Sequence, residues 1–298
     1  MASEKTITLG LDIGGTKLKA LALSGTGEIL KEVSLPSLAD QGPSSVRQAI
    51  RQTVDYFKTS GISFRAIGIG CAGSVDPMKG IVRNSPNFTD WSDINLKSWV
   101  EADYSVPVCV ENDANCAVFS EWKMGAGKGY QNLVLLTLGT GIGGGLILDG
   151  KLFRGATGTA GELGHMSIHT EGIPCPCGNR GCFERYCSAS AVKELAKGVS
   201  PKEVFSKASI VPEYKKIIDS FILQFQIGLV GIANIFDPQC ILLGGAVTDG
   251  VALYLNDITE WVKTHSFPAV GAQLEIKTTK YKNLSGSLGA ALLAQDLI

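Results

Sequence analysis

The sequence predicts an α/β fold carrying a weak internal repeat, and three observations support this. Short apolar runs bounded by glycine turns alternate with segments of helical period. A strand–glycine turn–strand unit occurs twice, around Asp12-Ile13-Gly14-Gly15-Thr16 and around Gly139-Thr140-Gly141-Ile142-Gly143. The chain has 298 residues, 45% hydrophobic and 18% charged, enough for one large domain or two ordinary ones with full cores.

The elements follow in order. Residues 6–11, Leu18 to Leu23 and Glu28 to Leu35 read as three strands of a meander, joined by the turns Asp12 to Lys17 and Gly25-Thr26-Gly27. Ser44 to Phe57 places Val46, Ile50, Val54 and Phe57 near a helical period. Ala66 to Cys71 is a buried strand running into Ala72-Gly73-Ser74-Val75-Asp76-Pro77. Asn84 to Trp91 reads as a loop, followed by a short amphipathic helix around Leu96 to Ala102. Val106 to Val110 is a strand ending at Glu111-Asn112-Asp113-Ala114-Asn115, and residues 114–124 look helical.

From Asn132 the pattern restarts. Leu133 to Leu138 is a strand, Gly139 to Gly145 a turn, Leu146 to Leu148 a strand and Asp149-Gly150 a tight turn. Helices are expected near 188–197, 200–207 and 212–236, and Cys240 to Leu243 forms a buried strand ahead of Gly244-Gly245. A helix from about 250 to 264, a strand near 273–279 and a helix from about 285 complete the chain.

Net charge is −1, which points away from nucleic acid and anionic membrane as partners. No apolar run reads as long enough for a membrane helix, and the start shows no signal-peptide core, so the expected location is cytoplasmic. Of eight cysteines, three stand in C-x-C-x4-C, too close for an ordinary disulfide framework. With His165 ten residues before Cys175, the set His165, Cys175, Cys177 and Cys182 suits one tetrahedral zinc. Three thiols and one imidazole close the coordination, so that zinc is structural. Cys71, Cys109 and Cys240 lie in or beside apolar strands and read as inert core residues. His169 and His265 show no partner spacing and read as solvated.

Gly139, Gly141 and Gly144 match G-x-G-x-x-G, yet the residues after them read as a strand, which weighs against a dinucleotide fold. A glycine turn between antiparallel strands can still aim several N–H groups at a phosphate. The bland alternative is a hairpin whose glycines serve positive φ; two matching copies favour phosphate binding. Asp12 reads as an Asx turn or as a carboxylate that meets magnesium or its waters, and Lys17 as solvated or as a phosphate neighbour. Asp113 reads as a helix cap or as a general base; with Asn112 it stands where open α/β sheets place ligands. Glu162-x-x-His165 is not H-E-x-x-H, which excludes the zincin mechanism.

Taken together, these stretches, with Gly161-Glu162-Leu163-Gly164-His165 and Cys175-x-Cys177-Gly178-x-x-Gly181-Cys182-x-Glu184, resemble the ROK family of bacterial sugar kinases and sugar-responsive repressors. The resemblance runs in order over nearly the whole chain. It implies an actin-like, hexokinase-like (ribonuclease H-like) α/β fold of two lobes around a cleft. Residues 1–112 plus 284–298 would form the small lobe and 113–283 the large lobe with the zinc loop. It implies Mg-ATP as phosphoryl donor, one structural zinc, and Asp113 as general base for the 6-hydroxyl of a hexose, glucose first. N-acetylglucosamine, N-acetylmannosamine, mannose and fructose stand as alternatives, because most ring contacts are to shared hydroxyls. Gly73, Asn87, Asn112, Asp113, Glu162, His165 and Glu184 would hold the sugar. Asp12, Gly14, Gly15, Thr16, Lys17, Thr140 and Gly141 would hold the ATP phosphates, with Gly244 and Gly245 near the adenosine. A homodimer or homotetramer is implied as well. One departure is Cys71-Ala72-Gly73-Ser74-Val75-Asp76, where family kinases often carry a Pro-Gly-Pro type of turn, and it bears on substrate choice. The first strand begins by about Thr6, which leaves no room for a helix-turn-helix ahead of it and favours a kinase over a repressor.

Overall fold

The computed structural model describes residues 6–85 and 88–298. Strands β1 (Ile7–Ile13), β2 (Lys17–Ser24) and β3 (Ile29–Pro36) lead into helix α1 (Pro43–Thr59) and strand β4 (Ala66–Cys71). Then come β5 (Ser74–Asp76), β6 (Ile81–Asn84), β7 (Ser92–Asn95), α2 (Leu96–Tyr104), β8 (Val108–Asn112) and α3 (Asp113–Met124). The second half runs β9 (Leu133–Leu138), β10 (Ile142–Leu148), β11 (Lys151–Leu152), α4 (Glu184–Cys187), α5 (Ala189–Leu195), α6 (Pro201–Lys207) and α7 (Pro212–Phe236). It closes with β12 (Cys240–Gly244), α8 (Thr248–Val251), α9 (Leu255–His265), α10 (Pro268–Gln273), β13 (Glu275–Thr278) and α11 (Ser285–Gln295).

The chain divides into two compact units: Met1–Met124, Arg154–Ala160 and Leu284–Ile298 form the first, Gly125–Phe153 and Gly161–Asn283 the second. The internal repeat is a repeat of topology. The first unit has a sheet in the order β3-β2-β1-β4-β8 and the second one in the order β11-β10-β9-β12-β13. In both, the meander pairs are antiparallel and the last two pairings parallel. The central strands are buried along their length, as sheets covered on both faces require.

Each unit has its own core. In the first, Leu9, Leu11, Ile67 and Ile69 of the sheet meet Val46, Ile50, Val54 and Phe57 of α1. On the other face α11 lies so close that a Cβ at Gly68 would strike the Ala290 carbonyl and one at Gly289 the Cys116 carbonyl. Ser285 Oγ also donates to buried Glu121 Oε1 at 2.9 Å. This packing of α11 on α3 is why the first unit extends through Met124, where the sequence reading put its boundary at residue 112. In the second unit Phe221, Phe225 and Leu229 of α7 form the core with Phe183, Ile241 and Leu243.

Several sequence expectations need correction. Around the expected loop Asn84 to Trp91 stands a small antiparallel sheet β5-β6-β7 that the sequence does not announce, because its strands are too short to show a period. The helix expected over 188–197 begins at Ala189 after extended Ser188, whose side chain accepts from the Ala191 N–H. The helix expected over 250–264 is interrupted at residues 252–254, and α10 was not foreseen. Helix α7 is long and apolar enough to cross a membrane by length and composition, against the expectation of no such run; 44% of that window is buried within the protein. Its Phe221, Phe225, Leu229 and Ile232 make it a core helix of the second unit.

Candidate functional site

In the first unit, the carboxyl ends of β1, β4 and β8 gather Asp12, Gly73, Asn112 and Asp113. Asp12 pairs in register with Gly70, and Cys71 with Asn112, so one strand separates the two acidic ends. Asn112 caps α3: its Oδ1 accepts from the N–H groups of Ala114 at 2.9 Å and Asn115 at 3.1 Å. Its Nδ2 donates to the Gly73 carbonyl at 3.1 Å. Gly73 has φ 109°, and a Cβ there would strike the Asn84 carbonyl, so only glycine fits.

Asp113 is the first residue of α3, with Oδ1 accepting from the Ala114 N–H at 3.0 Å. Burial raises its pKa, partly offset by the hydrogen bonds from Ala114 and Asn112. Asp12 is raised to about 7, first by burial and then by the charge of Asp113, with Lys19 opposing. Gly286 at the start of α11 lies against Asp12, since a Cβ there would come within 2.8 Å of its carboxylate. Thr16 and Lys17 are exposed at the β1–β2 turn, where the Gly14 N–H donates to the Lys17 carbonyl at 3.0 Å. Asn87, expected at the sugar, lies outside the described residues.

The sequence reading missed two residues under this cluster. Buried Glu111 accepts through Oε1 from the Asn112 N–H and from Asn115 Nδ2, both at 3.0 Å. Its Oε2 accepts from Arg154 Nε. A carboxylate breaking an apolar strand was a signal for Glu111; Arg154, 43 residues away, offered none. Arg154 also lines a cavity of about 890 Å³ with Ser74, Asp76, Arg83, Thr157 and Thr159.

In the second unit, the Gly139–Gly141 turn joins β9 and β10, with the Gly139 N–H donating to the Gly141 carbonyl at 3.0 Å. Neither glycine has positive φ among the described residues, which corrects the hairpin explanation. A Cβ at Gly139 would meet nothing within 4 Å, whereas one at Gly141 would strike Glu184 Oε2. Gly244 and Gly245 lie beside this turn. Gly245 has φ 96°, a Cβ there would crowd the Leu138 backbone, and the Val247 N–H donates to the Leu138 carbonyl at 3.1 Å. Next to them is a cavity of about 230 Å³ lined by Lys202, Phe205, Val247, Asp249 and Leu253.

Glu184, at the start of α4, connects this turn to the cysteine loop. Its Oε2 accepts from the Ile142 N–H at 3.4 Å, and its Oε1 lies 3.5 Å from Cys175 Sγ and 3.6 Å from His165 Nδ1. The ligand atoms of His165, Cys175, Cys177 and Cys182 lie within 4.8 Å of one another. A tetrahedron with metal–sulfur bonds of about 2.3 Å has edges of about 3.8 Å. Cys175 Sγ to His165 Nδ1 and Cys177 Sγ to Cys182 Sγ are both 3.7 Å, so the four fit one ion. Burial pushes the Cys175 thiol up to about 12, while the Asn179 N–H holds Cys177 below its ordinary value. His165 Nε2 lies 3.9 Å from Glu162 Oε2.

His169 corrects the solvated reading: half-buried, it bonds Gln224 Oε1 through Nε2 at 2.6 Å and packs on Tyr186. His265 is exposed but stacks on Trp261 and bonds its carbonyl at 2.8 Å.

The model of the ROK family matches residues 8–297. A glucokinase of Streptomyces coelicolor is 33% identical over 321 residues, covering 97% of this chain and 98% of that protein. A xylose repressor of Bacillus spizizenii is 32% identical over 300 residues, covering 95% of this chain and 75% of the repressor. Among solved structures, a ROK family glucokinase from Streptomyces griseus, in complex with glucose and AMPPNP, superposes with TM-score 0.85 at 31% identity. That match covers 97% of this chain and 99% of the other. The fold is of the actin-like, hexokinase-like α/β class.

Proposed function

The chain belongs to the ROK family, and from that premise we propose that it is an ATP-dependent hexose kinase that phosphorylates the 6-hydroxyl of glucose. The observation that carries the reading is Asp113: a half-buried carboxylate with a raised pKa, beside Asn112 and Gly73 at the strand ends. Asp113 accepts the hydroxyl proton as the sugar oxygen attacks the γ-phosphorus and the bond to the ADP oxygen breaks. Asp113 Oδ1 receives the Ala114 N–H, which fixes the carboxylate at the start of α3. A raised pKa makes the ionised carboxylate a better proton acceptor.

In the first unit, Gly73 and Asn112 are assigned to sugar hydroxyls, together with Asn87 by resemblance alone. Glu162, His165 and Glu184 of the second unit carry the same assignment, and the short distances from His165 to both carboxylates support it. Gly14, Gly15, Thr16, Lys17, Thr140 and Gly141 are assigned to ATP phosphates. Open space at Gly139 without positive φ supports this, because nothing inside the protein demands glycine there. The cavity beside Gly244 and Gly245, with Phe205 and Leu253 on its walls, is assigned to the adenine. Magnesium, when bound, neutralises phosphate charge, and Asp12 would hold the ion or its waters. Zinc would be held by His165, Cys175, Cys177 and Cys182, where it orders the loop that ends at Glu184.

The similarity to xylose repressors favours one second reading, a non-catalytic sugar-responsive protein. The deciding measurement is ADP release from Mg-ATP with glucose, mannose, fructose, N-acetylglucosamine and N-acetylmannosamine, using zinc-replete protein. A kcat/KM preference for glucose supports the proposal, and a preference for another sugar replaces the substrate while keeping the kinase. Sugar binding without turnover on any of the five would transfer the assignment to the second reading.

A further inference from the structure

We propose that Glu111 and Arg154 are a positioning pair that holds the start of α3, and with it Asp113, in its working geometry. The inference rests on the kinase reading, and neither residue is assigned to the substrates.

Three observations converge. Glu111 is 3% exposed, and a carboxylate so buried needs its charge and lone pairs answered. Its Oε1 answers the Asn112 N–H and the Asn115 side chain, which bracket Asp113 in sequence. Its Oε2 answers Arg154, whose guanidinium arrives from a segment remote in the chain yet belonging to the same unit. Asn112 Oδ1 meanwhile caps the helix, and one of its two Nδ2 hydrogens goes to the Gly73 carbonyl. The peptide that carries Asp113 is therefore held from below by Glu111 and from the side by Gly73. Among the described residues, Arg154 is the one cationic side chain paired with the Glu111 carboxylate. Removing the guanidinium leaves an uncompensated buried charge next to the residues that carry the base, and the local structure must shift to relieve it. Misplacement of a catalytic group by about 1 Å can cost on the order of 10²-fold in rate.

The test compares the full-length, zinc-replete wild type with Arg154→Met, Glu111→Gln and the double variant. The measurements are steady-state kinetics on the preferred sugar and amide hydrogen exchange over residues 111–116. Arg154→Met should lower kcat by on the order of 10²-fold with the ATP KM nearly unchanged, and should speed exchange within that peptide. The double variant, with no buried charge left unpaired, should recover about tenfold of the lost kcat. Unchanged kcat and unchanged exchange in Arg154→Met overturn the inference. So does faster exchange throughout the protein with no recovery in the double variant, which marks a general structural role. If the wild type turns over no sugar while exchange rises only at residues 111–116, the kinase reading fails and the positioning of α3 stands.

Discussion

Asp12 and Asp113 stand at the ends of two parallel strands of one sheet with a single strand between them, and the charge of Asp113 helps to raise the Asp12 carboxyl. Burial first, and the Asp113 charge second, give Asp12 a pH dependence that a solvated aspartate would lack. Asp12 rises from an ordinary 3.8 to about 7, so the folded state binds its proton more tightly than the unfolded state. This contribution to stability is complete below about pH 4 and is lost as pH rises through about 7. Replacing Asp12 by Asn should flatten the fall in Tm over that range without ligands. Superimposable Tm profiles for the two proteins would count against the raised carboxyl.

If Asp113 is the base, Asp113→Ala should reduce kcat by about 10²–10⁴-fold while sugar binding, measured by calorimetry, persists. Because burial raises its pKa, the acid limb of the wild-type kcat/KM profile should lie above the ordinary carboxylate range. Near-normal turnover in the alanine variant would remove the assignment.

The metal assignment is open to direct assay. Cys177→Ser removes one of four converging ligand atoms, and the purified variant should contain much less zinc than the wild type by elemental analysis. Chelation of the wild type should lower its Tm and increase exchange at residues 165–184. Equal zinc content in the two proteins would show that the ligand set is wrong.

Two neighbouring glycines separate a ligand effect from a packing effect. Gly139→Ala has open space around the new methyl, so Tm should stay nearly constant while the ATP KM rises. Gly141→Ala drives a methyl into Glu184, which is packed against His165 and Cys175, so the sugar KM should rise and the zinc loop should loosen. A rise in ATP KM for neither variant would argue against phosphate at this turn.

Much of the fold was legible because its signals are local. The two glycine turns and their flanking apolar runs announced the repeat, and the structure renders it as two sheets of identical order. The C-x-C-x4-C spacing and His165 likewise foretold that these four side chains converge, since a short loop with Gly178 and Gly181 lets the chain fold back on itself. Legibility failed where segments were too short to show a period, as in β5, β6 and β7. It failed again where an apolar helix could equally be buried in a core or cross a membrane, as with α7.

The sequence by itself determined the α/β class, the repeated strand–glycine turn–strand unit and which four His and Cys side chains converge, all of which depend on residues near one another in the chain. Only the tertiary structure decided that α3 belongs with α11, that Glu184 links the Gly139 turn to the cysteine loop, and that Arg154 answers Glu111. Those relationships join residues tens to well over a hundred positions apart. They arise from shape and from the need to pair buried charge, and neither leaves a periodic trace in the chain.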